Sequence, residues 1–237
     1  PICTSRRELD EMAALAADSG CRVGCMLDLR TAPAFRRARR AIRGGVIGRV
    51  TQIQFGGQHP LLRGSRLAWY FEPGKHGGTI NDIAIHGIDM LGFLTGESVR
   101  RIAAARTWQA FDVRSESFRD AAQFMLTLTN GCGVLGDVSY AAPDSQGYAM
   151  PTYWRFTVWG TRGVLEFSYG DPRVRAYLDG EKSETILDAP VESGSDYLDT
   201  LLLDIQGKPA ELNTAAVLAA SRATLDIQAA ADQAECA

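Results

Sequence analysis

The sequence predicts an α/β (α+β) protein built on an open, mixed and mostly antiparallel sheet with helices on one face. Two observations indicate this fold class. Segments between residues 50 and 158 alternate apolar and polar side chains with a period of two, which is typical of antiparallel strands with one buried face. Before and after them, at 5–42 and 194–234, helix-forming patterns dominate.

The composition is that of an ordinary globular protein. Of the 237 residues, 46% are hydrophobic and 22% are charged, which is enough for a sizeable core. A net charge of −3 gives no electrostatic reason to expect nucleic acid or an anionic membrane as a partner. No apolar run approaches the roughly 18 residues that a membrane span needs. Five scattered cysteines without zinc-like spacing indicate reduced thiols and a cytoplasmic protein.

The opening part predicts a helix, a strand and a second helix. Residues 5–19 form an amphipathic pattern that Ser5 can cap. Residues 21–27 are a short apolar run suited to a buried strand, and residues 33–42 predict a helix that two glycines end. A lone strand cannot make a sheet, so this part resembles the tail of an incomplete α/β unit.

The period-two alternation predicts four strands, at 50–55, 124–129, 134–140 and 154–158. Turn signals separate the later ones, for example Asn130-Gly131 and Gly160-Thr-Arg-Gly163. Helices are expected near 194–206 and 213–234, the second of them rich in alanine. We therefore expect residues 45–237 to form one unit.

The segment 76–96 predicts a helix that is buried nearly all round, with Asn81 as its N-cap and Gly96 as its stop. Between Asn81 and Leu94 almost every residue is apolar or glycine. The ionisable exceptions are spaced by four and three residues, which places them on one stripe of the helix: Asp82, His86 and Asp89.

Three buried ionisable groups are unfavourable unless they pair with one another or bind a ligand. The two carboxylates could simply hydrogen-bond a buried histidine. We favour a functional site, because perturbed titrating groups cluster there. Imidazole has a pKa near neutrality and suits proton transfer, such as taking the hydroxyl proton while hydride moves to a nicotinamide. A metal site is a weaker alternative, since one stripe seldom completes a coordination sphere, and we expect no metal.

These residues resemble, in order along the chain, the Gfo/Idh/MocA family (glucose-fructose oxidoreductase, inositol dehydrogenase, rhizopine catabolism). The pattern Gly77-Gly78-x3-Asp82-x3-His86-x2-Asp89 is similar to its glycine-rich loop and catalytic helix. Residues 43–50 resemble its G-x-I-G entry to the first strand, and 160–163 its G-T-x-G turn. The resemblance covers essentially the whole chain. It implies a Rossmann domain followed by an α/β domain with a large open sheet.

The resemblance also implies roles for single residues at the reaction site. His86 would be the acid/base, and Asp82 would be its catalytic neighbour at the substrate and nicotinamide. Asp89 and Trp69 would lie at the substrate, since relatives often carry an aromatic residue just before the glycine loop. His86 would thus be held or tuned by the two carboxylates on its own helix.

The dinucleotide-binding signal in this sequence is incomplete. No Gly-x-Gly-x-x-Gly follows a predicted strand. By resemblance, Pro1 ends the family's Glu-Lys-Pro motif and Arg30 lies near the cofactor, so both are candidates for contact with NAD or NADP. We expect residues 1–28 to be a remnant of the Rossmann domain and residues 29–237 to form the substrate-binding, catalytic and oligomerisation domain. The chain by itself would then be inactive.

These inferences predict an NAD(P)-dependent oxidoreductase with a small-molecule substrate, namely a sugar, polyol or related hydroxyl compound. Two other classes remain open: a non-catalytic binding or scaffold protein on the same sheet, and a metal-dependent lyase or hydrolase. We also expect a homodimer or homotetramer that associates through the uncovered sheet face. The alternating aromatic residues Trp154 and Phe156 indicate either sheet core or a subunit interface. On the uncovered face, such residues would give an apolar patch too large for a monomer.

Overall fold

A sheet of eight strands forms the centre of this computed structural model, which describes residues 1–112, 114–187 and 196–235. The strand order is β2-β3-β4-β1-β5-β6-β7-β8. Its strands are β1 (Val50–Pro60), β2 (Val99–Trp108), β3 (Ala121–Leu128), β4 (Gly133–Ala142), β5 (Arg155–Gly160), β6 (Gly163–Ser168), β7 (Asp171–Leu178) and β8 (Thr185–Leu187). Strands β1 and β4 pair in parallel and the other neighbours pair antiparallel, which confirms the predicted open, mixed sheet.

Helices cover one face of this sheet, as expected. The described residues contain five α-helices: α1 (Arg6–Ser19), α2 (Pro33–Arg43), α3 (Ile85–Thr95), α4 (Tyr197–Ile205) and α5 (Thr214–Glu235). Helix α2 packs on β6 and β7, α3 on β1, and α5 on β2. Along β3 and β4, buried and more exposed residues largely alternate, which is the signature of a sheet with one covered face. None of the helices in the described ranges is both long and apolar enough for a membrane span.

The helix boundaries agree closely with the sequence signals. Ser5 and Glu8 form the complete capping box of α1, and Gly20 ends that helix in the left-handed conformation. Pro33 begins α2 and Gly44 ends it. Local side-chain chemistry therefore decided where these helices begin and end.

The strand expected at 21–27 is not formed. In the described part of the chain no other strand lies beside it, and the backbone N–H of Val23 donates to the Thr214 hydroxyl instead. Leu27 nevertheless packs against Ile85 and Val217 in a small apolar cluster. Only Leu27 of this segment is buried, and Cys21, Gly24 and Met26 are exposed, so the expected burial is wrong as well. A strand also needs a hydrogen-bonding neighbour, and this segment has none among the described residues.

Four strands were not expected from the sequence, namely β2, β6, β7 and β8. Strand β2 lies at one edge of the sheet, where most of its residues are at least partly exposed and the register shifts twice. Strand β8 lies at the other edge and has only three residues. Edge strands need not alternate strictly, so their sequences carry little period-two signal.

Of the two places expected for Trp154, the sheet core and a subunit interface, the structure shows the sheet core. The Trp154 side chain is fully buried in the core, where the ring packs near Phe55. The uncovered face instead carries Met125 and Leu135, which are half exposed and oppose each other on β3 and β4. Trp154, Phe156 and Val158 are all buried, so their period-two spacing correctly placed them on one face of the sheet, and that face is the covered one.

Candidate active site

Ionisable and aromatic side chains meet at the C-terminal ends of the parallel strands β1 and β4. Tyr140 lies near the end of β4 and His59 near the end of β1. Two short elements face them: a 3-10 turn, Asp28–Thr31, and a π-helical turn, Ile80–Ala84, which leads directly into α3. Single π-helical turns occur frequently at functional sites.

The Asp82 carboxylate is the centre of a hydrogen-bonded cluster. The hydroxyls of Tyr70 and Tyr140 both donate to its Oδ2 atom. The Nε2 atom of His76 lies 3.5 Å from the same oxygen and 2.9 Å from the Tyr140 hydroxyl. Three separate segments of the chain thus converge on one carboxylate.

These contacts keep Asp82 ionised. Burial would raise the pKa of Asp82, but hydrogen bonds from His76, Tyr140 and Tyr70 together hold it well below its ordinary value. Burial, reinforced by the Asp82 charge, raises the pKa values of Tyr70 and Tyr140 well above the ordinary tyrosine range. At neutral pH the cluster is therefore one anion held by two neutral hydroxyl donors.

His86, at the start of α3, lies against different groups. Its Nδ1 atom is buried and 3.7 Å from Oδ1 of Asp28, and it has no hydrogen-bond partner within the described ranges. The side chain is 22% exposed, so the remaining exposure is through its other atoms. Burial lowers the pKa of His86, while the carboxylates of Asp28, Asp89 and Asp82 oppose that shift. The imidazole is therefore neutral at pH 7, because even an unperturbed one has a pKa of about 6.5.

Trp154 separates His86 from a second buried histidine. Its ring centroid is 5.8 Å from that of His86 and 5.7 Å from that of His59. Burial lowers the pKa of His59 to about 4, so this ring is neutral as well. Trp154 has a φ of 46°, an unfavourable value for a bulky residue, and such strain often accompanies functional sites. Gly57 makes room for the indole, since a Cβ there would lie 2.5 Å from it.

Asp89 forms a buried ion pair with Arg30. The guanidinium binds both carboxylate oxygens, with Nε–Oδ2 and Nη2–Oδ1 distances of 2.7 and 2.5 Å. Burial raises the pKa of Asp89, and the Arg30 charge opposes this rise. Since Arg30 belongs to the 3-10 turn that also carries Asp28, the ion pair fixes that turn to α3.

The three stripe residues therefore have separate partners. Neither Asp82 nor Asp89 hydrogen-bonds His86 within the described ranges, so the interpretation that they satisfy its ring is wrong. The π-helical turn explains part of this difference, because Asp82 lies inside it and the ordinary α-helical spacing to His86 does not hold there. Asn81 is not the N-cap either: Thr79 holds that position, and the Asn81 amide donates to the Cys3 carbonyl.

The other sequence candidates lie around this site in different ways. Trp69 is 46% exposed, and its neighbour Tyr70 is the aromatic residue that reaches Asp82. Pro1 is exposed, while Ile2 packs into the small cluster with Ile85. Arg30 is committed to Asp89, and it also donates to the Glu211 carbonyl.

Sequence reasoning assigned no role to five residues of the site, although His59 and His76 were candidates for the mouth of the pocket. Their segments are far apart in the chain, and none belongs to a local motif except His76, which directly precedes the glycine pair: Asp28, His59, Tyr70, His76 and Tyr140. A buried tyrosine or histidine at the end of an alternating strand is the one signal that could have identified His59 and Tyr140.

The glycine loop does not form an open phosphate cradle. Gly77 and Gly78 have φ values of +77° and +92°, which only glycine adopts readily. A Cβ at Gly78 would lie 2.2 Å from the Gln228 side chain, and one at Gly77 would lie 3.0 Å from Thr4. Internal side chains thus occupy the space directly against these two glycines, while the loop also lines a cavity of about 600 Å³ together with His76 and Arg119. Among the described residues we find a proton-transfer site but no Gly-x-Gly-x-x-Gly turn to hold a dinucleotide's phosphates.

The described residues also bring no metal-binding group together. No three His, Cys, Asp or Glu side chains in these ranges could share an ion. Asp82 and Asp89 are instead occupied by tyrosine hydroxyls and by a guanidinium, respectively.

Comparisons with known proteins agree with this fold. A putative oxidoreductase from Thermotoga maritima has 22% sequence identity and a TM-score of 0.85, over 99% of this chain and 69% of that one. An aldose-aldose oxidoreductase from Caulobacter crescentus, solved with glycerol, has 18% identity and a TM-score of 0.76, over 98% and 68%. A levoglucosan dehydrogenase, solved with NADH and levoglucosan, has 18% identity and a TM-score of 0.75, over 98% and 70%.

The sequence comparisons identify the family of this chain. A search of curated protein sequences gives no match. The family model described as the GFO/IDH/MocA C-terminal domain matches residues 35–166, which is more than half of the chain. That range includes the glycine loop, the π-helical turn, α3 and both parallel strands. The chain therefore belongs to the GFO/IDH/MocA family, through the C-terminal domain of that family.

Proposed function

We propose that this chain carries the substrate-binding and proton-transferring part of an NAD(P)-dependent oxidoreductase that acts on a hydroxyl group. The observation that carries the proposal is the neutral, partly exposed imidazole of His86 at the ends of the parallel strands, close to the ionised Asp82. A base in this state can accept a hydroxyl proton at neutral pH. A bound nicotinamide would supply the hydride chemistry.

We assign different tasks to the residues of the site. His86 takes or returns the proton of the substrate hydroxyl. Asp82 keeps a fixed negative charge nearby, which favours the imidazolium that forms. Tyr70 and Tyr140 hold that carboxylate in place and remain protonated because their pKa values are raised. Trp69 and Asp89 remain proposed substrate-side residues, with Asp89 acting through Arg30.

A polyhydroxylated substrate, such as a sugar or polyol, fits this proposal. Two similar structures were solved with compounds of this kind, glycerol and levoglucosan, each bound to its own protein. The cluster also offers hydroxyl and carboxylate groups, which suit the hydrogen-bonding needs of such compounds.

We further propose that residues 1–28 belong to a dinucleotide-binding domain and residues 29–237 to the catalytic domain. The segment 21–27 has no strand partner in the described ranges, so its backbone can join another sheet. Next to it, α4 exposes three apolar side chains on one face: Leu198, Leu202 and Ile205. In this proposal NAD or NADP is held mainly by that domain, with Pro1 and Arg30 on the side facing it.

We propose the cytoplasm as the location of this protein. Cys3, Cys21, Cys25 and Cys132 are free thiols, which is typical of proteins in a reducing compartment.

The test is the His86→Ala variant in the protein with its dinucleotide-binding domain, assayed with NAD(P) against sugars and polyols. We expect turnover to fall about a hundred-fold or more, the usual scale for general acid–base catalysis, while dinucleotide binding changes little. Asp18→Asn, an exposed change on α1, is the control and should leave both unchanged. Near-normal turnover in His86→Ala would remove this residue from the reaction.

A further inference from the structure

We infer that Asp28 is the positioning residue that fixes the orientation and tautomer of His86. This inference rests on the proposed function for its catalytic meaning, but its geometry stands independently. Asp28 lies in the 3-10 turn before α2, far in sequence from the helix that carries His86. Helical spacing suggested that Asp82 and Asp89 hold His86; we assign this positioning role to Asp28, which belongs to another element.

The contact between the two side chains is the first argument. The Nδ1 atom of His86 is buried without a hydrogen-bond partner, and the nearest carboxylate oxygen is Oδ1 of Asp28 at 3.7 Å. A buried polar atom without a partner is unfavourable. The Asp28 side chain is 50% exposed and has no other hydrogen bond within the described ranges, so a small rotation brings it to hydrogen-bond distance. Catalytic contacts are often long before substrate binds.

The competing carboxylates are already occupied. Asp82 accepts from two tyrosine hydroxyls, and Asp89 is held by both nitrogens of the Arg30 fork. Releasing either one for His86 would leave buried donors unpaired. Asp28 is the carboxylate near His86 that can move to hydrogen-bond its Nδ1 atom without breaking another buried contact.

The surrounding residues hold Asp28 and His86 next to each other. Arg30 follows Asp28 by two residues and ties their common turn to α3 through Asp89. The His86 ring lies against the Trp154 indole on one side. Gly87, the next residue, packs directly on the ring of Phe55. The His86 ring therefore has little freedom to turn its Nδ1 atom away from Asp28.

The arrangement defines which nitrogen reacts. With the Nδ1 proton directed at Asp28, the lone pair of Nε2 is the site that accepts the substrate proton. The O–H bond of the substrate breaks and an Nε2–H bond forms, giving an imidazolium next to the Asp28 carboxylate. A bound nicotinamide would supply the acceptor for the hydride that leaves the substrate carbon, so charge and atoms would balance.

Nitrogen NMR of ¹⁵N-histidine in this chain tests the inference without cofactor or substrate. We expect wild-type His86 to carry its neutral proton on Nδ1. In Asp28→Asn we expect a mixture of tautomers and a His86 pKa lower by about half a unit or more, because an opposite charge within reach is lost. Asp28→Glu, which keeps the charge, should restore part of the shift.

Two controls make the result specific. Asp18→Asn should change neither the tautomer nor the pKa, and Asp82→Asn should lower the pKa less than Asp28→Asn does. The other titratable groups acting on His86, namely Asp89, the Pro1 amino group and His59 once it is protonated, are the same in all variants. A larger pKa shift in Asp82→Asn, or an unchanged tautomer in Asp28→Asn, would overturn the inference.

Kinetics separates this inference from the proposed function. If His86→Ala abolishes turnover while Asp28→Asn leaves the pH dependence of kcat unchanged, the positioning role fails and the proposed function stands. If His86→Ala retains turnover, the proposed function fails, and the NMR titration alone decides whether Asp28 holds the ring.

Discussion

The two histidines beside Trp154 show how burial sets protonation at the residue scale. His86 and His59 are both neutral at pH 7, since burial lowers both pKa values. His86 has a carboxylate at 3.7 Å that moderates the effect of burial, whereas His59 has the Tyr153 hydroxyl at 3.4 Å. The two histidines of this site thus differ in their electrostatic surroundings, because their neighbouring groups differ in charge.

The depressed pKa of His59 predicts a pH-dependent stability. The folded pKa is about 4 and the unfolded value about 6.5, so the unfolded chain binds the proton more tightly. The stabilisation is fully present above pH 6.5 and is lost as pH falls through 4, a change of up to about 3 kcal/mol. Urea unfolding at several pH values should show a steeper loss for wild type than for His59→Gln. If the free energy of unfolding depended on pH equally in both proteins, the lowered pKa of His59 would be contradicted.

At the scale of elements, α3 holds the site because it approaches β1 unusually closely. Gly87 has no side chain, and the Phe55 ring fills the space where one would be. The same helix contains Gly92 one turn further on, where the surroundings are open. We therefore expect an added methyl group to lower the stability of the fold at Gly87 and not at Gly92.

We predict that Gly87→Ala destabilises the fold by about 1–3 kcal/mol, the usual range for overpacking a core. The new Cβ would lie 2.3 Å from Phe55, so α3 must move away from β1 and carry His86 with it. Gly92→Ala is the matched control: its Cβ would make ordinary contact at 3.6 Å, and we expect a gain of about 0.5–1 kcal/mol. Denaturant unfolding of both variants measures the difference. Equal stabilities would show that α3 tolerates displacement.

At the scale of the whole molecule, the uncovered face of the sheet leaves apolar groups in solvent. Met125 and Leu135 are 49% and 48% exposed, and Gln54 on β1 opposes Leu135. The strand registers place Asp137, Arg155 and Glu166 on the same face, so charges of both signs surround this apolar centre. Two identical copies related by a twofold axis can therefore bury the apolar centre and pair opposite charges around it. We propose a homodimer, or a homotetramer built from such dimers, through this surface.

We predict that Leu135→Glu dissociates the assembly, because a carboxylate would be buried in the centre of the interface without a partner. Light scattering should give the mass of a single chain for this variant and a multiple of it for wild type. Leu67→Glu, at a comparably exposed leucine outside the sheet, is the control and should leave the assembly intact. A monomeric wild-type protein would rule out the proposed interface.

The sequence by itself determined the features that depend on neighbours along the chain. The capping box of α1, the stop at Gly20, the helix that carries His86 and the alternating central strands all follow from local chemistry and period. The motif around Gly77 also identified Asp82 and His86 as the candidate catalytic pair. These signals are readable because the contacts that produce them span only a few residues.

The partners of the buried side chains are visible only in the folded chain. Asp82 binds Tyr70 and Tyr140, Asp89 binds Arg30 and, in our inference, His86 pairs with Asp28. The segment 21–27 has no strand partner among the described residues, and Trp154 lies in the core. The physical reason is that hydrogen-bond and ion-pair partners of a buried group are chosen by packing between distant segments. Helical period and composition report that a group is buried, but not which distant side chain satisfies it.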